Sequence, residues 1–322
     1  MKRYAYYPGC SSETVSASYH VSTLETGARL GIEFQEIEDW NCCGATPYTN
    51  IDELLAHGLC ARNLAIAEQA GLDVVAPCNA CFKNLHHANA ELKADRDLAE
   101  HINFALEADG LHYGGAVNVH HLIHVFVKDV GLEAIKKQVR QPLKGLKVAA
   151  YYGCQLVRPD RGDGFDPEAP TYFEDLVKAI GAEAVDFPHR LHCCGASLML
   201  ANRRAALAMV RDLLRAAVQA KADVIATACP LCQLNLECYQ QDVNREFGTT
   251  YKIPVLYFTQ LMGLAMGIEP KKLGIGTEVV SPQPVLDCVA RRPAPAAAAA
   301  PAKPAAAPAA KPVPQTVKAG QP

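Results

Sequence analysis

The sequence carries little excess charge of either sign, because 31 lysines and arginines face 34 aspartates and glutamates, for a formal net charge of -3. No run of basic residues marks a nucleic-acid or membrane surface, so strong binding to polyanions is excluded. Long apolar runs are missing too, since none reaches the roughly 20 residues that a membrane-spanning helix needs. The first eight residues lack the apolar core of a signal peptide and instead predict a strand. We therefore expect a cytoplasmic protein with no membrane span and no nucleic-acid partner.

Nucleotide-binding signatures are also missing. The sequence contains neither GxGxxG nor GxxxxGK[ST], so it signals no dinucleotide or nucleotide site. Cysteine, in contrast, is abundant, with 13 among 322 residues. A reducing cytoplasm disfavours structural disulfides, and cysteines kept there serve metal binding or redox chemistry. The chemistry of the chain is therefore expected to lie in its thiols.

Ten of the cysteines follow one pattern that occurs twice. The first copy has 31, 34 and 2 residues between its successive cysteine groups, and the second copy has 38, 34 and 2. We name them the first quintet (Cys10, Cys42, Cys43, Cys78 and Cys81) and the second quintet (Cys154, Cys193, Cys194, Cys229 and Cys232). Such self-similarity indicates an internal duplication.

Each copy shows the same order of local patterns. A short apolar run precedes every cysteine group, and helical patterns fill the intervals. Strands that alternate with helices predict βαβ units around a parallel sheet. The predicted fold class is α/β, with two pseudo-twofold-related domains, each a small parallel sheet flanked by helices. The main helices are predicted over 15–30, 51–70, 78–92, 172–180, 201–220 and 229–247.

The domain limits follow from the repeat. The first domain is predicted over 1–141, including a helical bridging segment over about 98–141 with a helix at 117–130. The second domain is predicted over 142–290. Residues 291–322 are mostly alanine and proline, with no acidic residue. Because such a composition cannot build a core, a disordered Ala/Pro/Lys tail is expected there.

The cysteine groups are expected to converge. In open parallel sheets the carboxyl ends of the strands face the ligand crevice, and every cysteine group follows a predicted strand. The CxxC pairs begin helices, where backbone N–H groups and the helix dipole favour thiolates. Each quintet is therefore predicted to form one site.

Five thiols at this spacing favour iron–sulfur chemistry over zinc. A structural zinc site uses four ligands, one fewer than each quintet offers. The side chains of adjacent cysteines diverge, so they reach different irons of one cluster more readily than they bind a single small ion. Soft thiolates select zinc, Cu(I) or iron–sulfur clusters. Zinc in one half, and thiol redox chemistry without metal, remain alternatives.

The doubled Cys-Cys-Gly motifs at 42–44 and 193–195, with their paired CxxC motifs, resemble the cysteine-rich CCG domain. Residues 1–288 are similar to the B subunit of heterodisulfide reductase, and the Ala/Pro tail favours a bacterial heterodisulfide reductase-like member. The resemblance implies two non-cubane [4Fe-4S] clusters, one held by each quintet, and no ligand position is substituted.

The resemblance also implies a function and partners. It implies a catalytic protein that reduces or forms a disulfide at two clusters, each supplying one electron. The electrons would come from a ferredoxin-like C subunit, with a flavoprotein A subunit behind it. Two alternatives stay open: an electron-transfer iron–sulfur subunit of a hydroxyacid or succinate-type dehydrogenase, and a zinc-bound assembly module.

A few side chains outside the quintets are candidates for smaller roles. His189 and His192 precede the second Cys-Cys pair and are candidate proton donors. The second copy has seven extra residues before its Cys-Cys pair, within Arg158–Pro170. In this loop Arg158 and Arg161 either meet an anionic substrate or belong to a solvated surface. Packing or structural roles are expected for Cys60, Cys238, His120, His121 and His124.

Overall fold

The computed structural model describes residues 2–45, 48–162 and 164–290, and the tail predicted over 291–322 lies outside them. Eight strands form two sheets within the described residues. The strands are β1 (Lys2–Tyr6), β2 (Ile32–Glu36), β3 (Val74–Ala76), β4 (Val119–His121), β5 (Lys147–Tyr151), β6 (Glu183–Ala184), β7 (Val224–Thr227) and β8 (Val255–Tyr257).

Helices connect the strands. They are α1 (Ala17–Arg29), α2 (Tyr48–Ile51), α3 (Glu53–Gln69), α4 (Asn79–Ala94), α5 (Arg96–Leu106), α6 (Leu122–His124), α7 (Leu132–Gln138), α8 (Tyr172–Ala179), α9 (Arg203–Gln219), α10 (Pro230–Cys238), α11 (Gln240–Phe247), α12 (Phe258–Ala265) and α13 (Gln283–Ala290). A π-helix follows α6 at Val125–Gly131. Among the described helices, none combines the length and the apolar character that crossing a bilayer demands.

The two sheets share one topology. Their strand orders are β2-β1-β3-β4 and β6-β5-β7-β8, and all the strand pairs in both are parallel. The chain leaves β1 toward β2 on one side and then crosses to β3 on the other. A ligand crevice is found at such a switch point, beyond the carboxyl ends of the strands. The predicted α/β fold with two small parallel sheets is confirmed.

The central strands are apolar because helices cover both of their faces. In β3, the residues Val74, Val75 and Ala76 are each 0% exposed, and β7 is equally buried. Helix α1 ends next to Gly31, whose φ of +73° is a conformation that favours glycine. Gly181 takes the same place after α8, with φ +82°. The two copies therefore end this helix in the same way.

The halves pack against each other through α1 and α12. The ring of Tyr19 stacks on Tyr257 with centroids 4.1 Å apart and planes 4° from parallel. The hydroxyls of Ser22 and Thr259 share a hydrogen bond of 2.7 Å, and Tyr19 donates to the Ala228 carbonyl across the same boundary at 3.2 Å. Because these groups are buried, their hydrogen bonds fix how the two halves are oriented.

Two predicted elements were wrong in part. The helix expected over 117–130 begins with strand β4, because Val119–His121 pairs with β3 before the chain turns into α6. The single helix expected over 229–247 is interrupted at Tyr239, which separates α10 from α11. In β4, pairing with a distant strand overrides a helical pattern that is locally adequate.

A buried carboxylic acid links α10 to the segment before α13. Glu237 is 3% exposed, and its Oε1 accepts a hydrogen bond from the Val280 backbone N–H at 3.2 Å. Its other oxygen accepts from the Gln233 amide. Burial, aided by the nearby Glu278 carboxylate, raises the pKa of Glu237 to about 7.

This pKa predicts a pH-dependent stability. Glu237 binds its proton more tightly in the folded than in the unfolded chain, so its contribution is most favourable below pH 4.5 and is lost as the pH rises toward 7. The variant Glu237→Gln should therefore gain thermal stability relative to the parent as the pH goes from 5 to 8. Thermal unfolding at both values measures this, with Glu183→Gln on exposed β6 as the control. An equal difference at both pH values would contradict the prediction.

Candidate metal centre

Every cysteine group of the two quintets follows the carboxyl end of a strand, as predicted. Cys10 follows β1, the pair Cys42–Cys43 follows β2, and Cys78 follows β3. The second half repeats this order after β5, β6 and β7. Cys78 and Cys229 are the N-cap residues of α4 and α10. Both sulfur atoms therefore lie at the positive end of a helix dipole, an environment that in general favours thiolates.

The thiols form one continuous line that crosses both halves. Each thiol shifts the pKa of the next one along this line, in the order Cys42, Cys43, Cys81, Cys78, Cys229, Cys232, Cys194, Cys193 and Cys154. We name this line the sulfur chain. Cys10 lies beside its first member and interacts with Cys42 electrostatically. The contact between Cys78 and Cys229 joins the quintets, so the two sites are immediate neighbours.

Close packing of the thiols moves their pKa values in opposite directions. Hydrogen bonds from Cys42 and Cys81 lower the pKa of Cys43 well below its ordinary value. The pKa of Cys42 rises, mainly because of that same hydrogen bond to Cys43. Cys193 and Cys229 also have lowered pKa values, each with two thiol donors. The other thiols of the sulfur chain have raised pKa values. The thiolate, which is the metal-binding form of cysteine, is therefore favoured at Cys43, Cys193 and Cys229.

Glycines let the backbone approach the sulfur atoms. Gly9 has a φ of +78°, and a Cβ there would lie 3.2 Å from the Cys81 sulfur. Gly153 has a φ of +71°, and its Cβ would lie 3.0 Å from the Cys232 sulfur. A larger residue at either position would combine an unfavourable backbone conformation with a crowded sulfur. Glycine before the first cysteine of each quintet is therefore required by the site.

A pair of tyrosines supports the Cys-Cys turns. The hydroxyl of Tyr7 donates to the carbonyl of Asn41 at 2.9 Å, and the hydroxyl of Tyr151 donates to the carbonyl of His192 at 2.7 Å. Each accepting residue immediately precedes a Cys-Cys pair. The two hydrogen bonds anchor equivalent points of the two halves.

A pair of asparagines completes this support, although neither was among the residues predicted from the sequence. The Asn84 amide donates to the carbonyl of Cys43 at 3.2 Å, and the Asn235 amide donates to the carbonyl of Cys194 at 2.5 Å. Both asparagines lie three residues after a CxxC motif, so each copy reads CxxCxxN. That shared spacing was the available signal.

Four other candidate residues, two histidines and two arginines, make contacts of their own. His189 and His192 pack together, with ring centroids 4.5 Å apart, directly before Cys193. Arg158 forms an ion pair with Glu168 at 3.1 Å. The Arg161 guanidinium donates to three backbone carbonyls of its own loop and lies 4.9 Å from the centroid of the Phe82 ring.

A cavity of about 330 Å³ opens between α4 and the insertion of the second half. Lys83 and His86 line it from the first half, and Pro159, Asp160 and Arg161 line it from the second. Lys83 comes two residues after Cys81, so the cavity lies close to the first quintet. The positive charges of Lys83 and Arg161 at this wall favour the binding of an anionic group.

The three other cysteines lie outside the sulfur chain. Cys60 is 1% exposed and its thiol faces the Cys43 carbonyl at 3.5 Å, which agrees with a packing role. Cys238 and Cys288 are partly exposed. His121 and His124 are buried, and burial lowers the pKa of both. Neutral imidazoles are therefore favoured at the end of β4 and in α6.

The donor set fits a centre of several irons better than a single ion. Each quintet supplies five thiols, whereas a tetrahedral zinc ion takes four ligands. Three thiols of each quintet are buried: Cys43, Cys78 and Cys81, and then Cys194, Cys229 and Cys232. Cys10, Cys42 and Cys193 are exposed, so each site is enclosed by protein on one side and open to solvent on the other.

These features define a protein with a duplicated, thiol-rich site in which the two quintets adjoin. A family model described as a cysteine-rich domain, CCG, matches residues 4–86 and 148–237. The chain belongs to the CCG cysteine-rich domain family and carries the domain twice.

Known relatives extend the comparison over most of the chain. It is 38% identical over 280 residues to the 8-methylmenaquinol:fumarate reductase membrane anchor subunit of Wolinella succinogenes, covering 87% of this chain and 97% of that protein. It is 35% identical over 279 residues to the B subunit of the ferredoxin/F(420)H(2)-dependent CoB-CoM heterodisulfide reductase of Methanosarcina acetivorans, covering 85% and 93%. A protein of Archaeoglobus profundus, described as like the heterodisulfide reductase B subunit, is 30% identical over 283 residues, covering 85% and 93%. The resemblance to the B subunit of heterodisulfide reductase is confirmed, and it supports iron–sulfur binding and an oxidoreductase role.

A solved structure shares the fold. The crystal structure of a hypothetical protein from Helicobacter pylori has a TM-score of 0.70 at 16% identity. The match covers 87% of this chain and 52% of that one, so the chain spans about half of its length. At this identity the similarity shows the fold alone.

The asparagine hydrogen bonds can be tested by substitution. Asn235→Ala leaves the buried Cys194 carbonyl without its donor, which costs about 1–3 kcal/mol. We expect faster loss of iron from the second site of anaerobically prepared protein, followed by its visible absorbance under a chelator. Asn244→Ala is the matched control, because Asn244 makes backbone hydrogen bonds to Tyr251 in the same half. Equal rates of iron loss in both variants would contradict the assigned role.

Proposed function

We propose that this chain is the catalytic iron–sulfur subunit of a heterodisulfide reductase-like complex, which reduces or forms a disulfide between its two quintets. The observation that carries the proposal is the contact between Cys78 and Cys229, which brings the two sites side by side. Opening a disulfide takes two electrons and two protons. Clusters bound in the two quintets would supply one electron each.

The proposed ligands are the ten quintet cysteines, with one non-cubane [4Fe-4S] cluster in each quintet. The unbroken cysteine pattern and the relatives named as B subunits of heterodisulfide reductases support this assignment. The domains would extend over 1–141 and 142–290. Buried thiols hold the centres from within the protein, and the exposed Cys10, Cys42 and Cys193 mark the side from which a substrate enters.

Other side chains of this chain would serve the substrate. Lys83 and Arg161 line the cavity between the halves and would attract an anionic disulfide or thiol. His189 and His192, beside Cys193, would deliver the protons that release thiols. Since the sequence has no flavin or nicotinamide motif, electrons would arrive from a ferredoxin-like C subunit and a flavoprotein A subunit.

Cysteine substitution tests the proposal. Cys194→Ala should abolish disulfide reduction by reduced viologen and remove about half of the roughly eight irons that two clusters contain. Cys238→Ala in the same half is the control and should keep both. Iron and zinc are counted on anaerobically purified protein together with the electron paramagnetic resonance signals. Full activity in the Cys194 variant would reject the proposal, and zinc in place of iron would favour an assembly module.

A second function has support of its own. The relative at 38% identity, covering 97% of its length, is named as part of an 8-methylmenaquinol:fumarate reductase. In that function the same two centres would pass electrons from a quinol to a dehydrogenase partner, with no disulfide chemistry. Adjacent sites of two one-electron centres suit a two-electron quinol equally well.

Oxidation assays distinguish the two functions. Under the main proposal, reduced protein should be reoxidised by a panel of small disulfides and remain unaffected by menaquinone analogues. The opposite preference would assign the chain to quinol oxidation. Anaerobic co-purification gives a second readout, because a ferredoxin-like partner favours the first function and a flavin-containing dicarboxylate dehydrogenase favours the second.

A further inference from the structure

Three side chains outside the quintets gather between α3 and α4. They are Glu53 and His57 on α3 and His87 on α4, and one ligand atom from each lies within 4.8 Å of the others. Glu53 and His57 are four residues apart, which places them on one face of the helix. With neighbours that include Asn84, the two imidazoles line a small cavity of about 10 Å³.

The state of His57 points to a ligand. The side chain is 4% exposed, and its Nδ1 lies 2.7 Å from the backbone carbonyl oxygen of Glu53. A carbonyl oxygen only accepts, so Nδ1 carries the proton and Nε2 presents a lone pair. That Nε2 is buried and has no hydrogen-bond partner among the described residues. A buried acceptor without a partner is costly, and a metal ion would satisfy it.

The arrangement matches that of a metal-binding histidine. Such an imidazole usually donates its other N–H to a backbone carbonyl or a carboxylate, which fixes the tautomer and the ring. His87 has a comparable neighbour, because its Nδ1 lies 3.8 Å from a carboxylate oxygen of Glu91.

We propose that Glu53, His57 and His87 bind one divalent transition-metal ion, zinc by preference, with water as the fourth ligand. Two imidazoles and one carboxylate form an established zinc donor set. Bonds of about 2.0–2.1 Å to a tetrahedral ion place the ligand atoms about 3.3 Å apart. Glu53 is exposed, so its carboxylate can turn toward the imidazoles.

A metal ion at this site would stabilise the residues that support the first quintet. Cys60 on α3 and Asn84 on α4 both contact the carbonyl oxygen of Cys43. An ion bound to both α3 and α4 would fix the relative position of the two helices and so preserve both contacts. The second half offers no equivalent donors, since Arg203, Leu207 and Cys238 occupy the corresponding helix positions. The site is therefore separate from the duplicated sulfur architecture.

Zinc X-ray absorption on the iron-loaded full chain tests the proposal. One zinc per chain with nitrogen and oxygen ligands at about 2.0–2.1 Å is expected, without the sulfur shell at about 2.3 Å that quintet binding would give. Glu53→Gln, which changes only an exposed side chain, should weaken zinc binding at least about tenfold. The double variant His57→Ala/His87→Ala should abolish it, while His112→Ala on the surface of the same half should not.

Iron content separates this proposal from the proposed function. Full iron with no zinc bound, zinc bound through sulfur, or equal zinc in the parent and the double variant would each overturn the metal site and leave the quintets unaffected. Missing iron with zinc still bound through nitrogen and oxygen would instead reject the function and keep the site.

Discussion

The sulfur–sulfur contact between Cys78 and Cys229 is the constraint on which the rest of the structure depends. Each cysteine begins a helix at the carboxyl end of a central strand, one in each half. For these two helix termini to meet, the sheets must face each other with their switch points together. The packing of α1 on α12 provides this orientation through the stacked Tyr19 and Tyr257.

One direct hydrogen bond reinforces this meeting point. The Asn79 side chain, next to Cys78, donates to the carbonyl of Tyr152 in the other half at 2.7 Å. Gly153 follows that tyrosine, and a Cβ there would lie 3.3 Å from the same amide. The backbone of one half is thus tied to the CxxC turn of the other. The boundary between the halves and the walls of the two centres are built from the same residues.

The residues that anchor the Cys-Cys turns are alike in the two halves, whereas the residues around them differ. Tyrosine, glycine and asparagine recur at equivalent positions in both halves because each Cys-Cys turn needs the same anchors. The insertion with Arg161 is found in the second half alone, and among the described residues the group of Glu53, His57 and His87 occurs in the first half alone. The sulfur framework is common to the two copies, and its surroundings differ between them.

The amino-acid sequence by itself determined the duplication, the α/β class and the placement of every quintet cysteine after a strand. These follow from local patterns, because spacing and periodicity are properties of the linear chain. The strands β4 and β8 could not be predicted from the sequence, since their pairing depends on partners that lie far away along the chain. Only the tertiary structure decided that the two quintets adjoin, that Asn84 and Asn235 anchor the Cys-Cys turns, and that His57 is left with a buried lone pair. Each of these facts depends on atoms from separate elements meeting at hydrogen-bond range, which no spacing along the chain encodes.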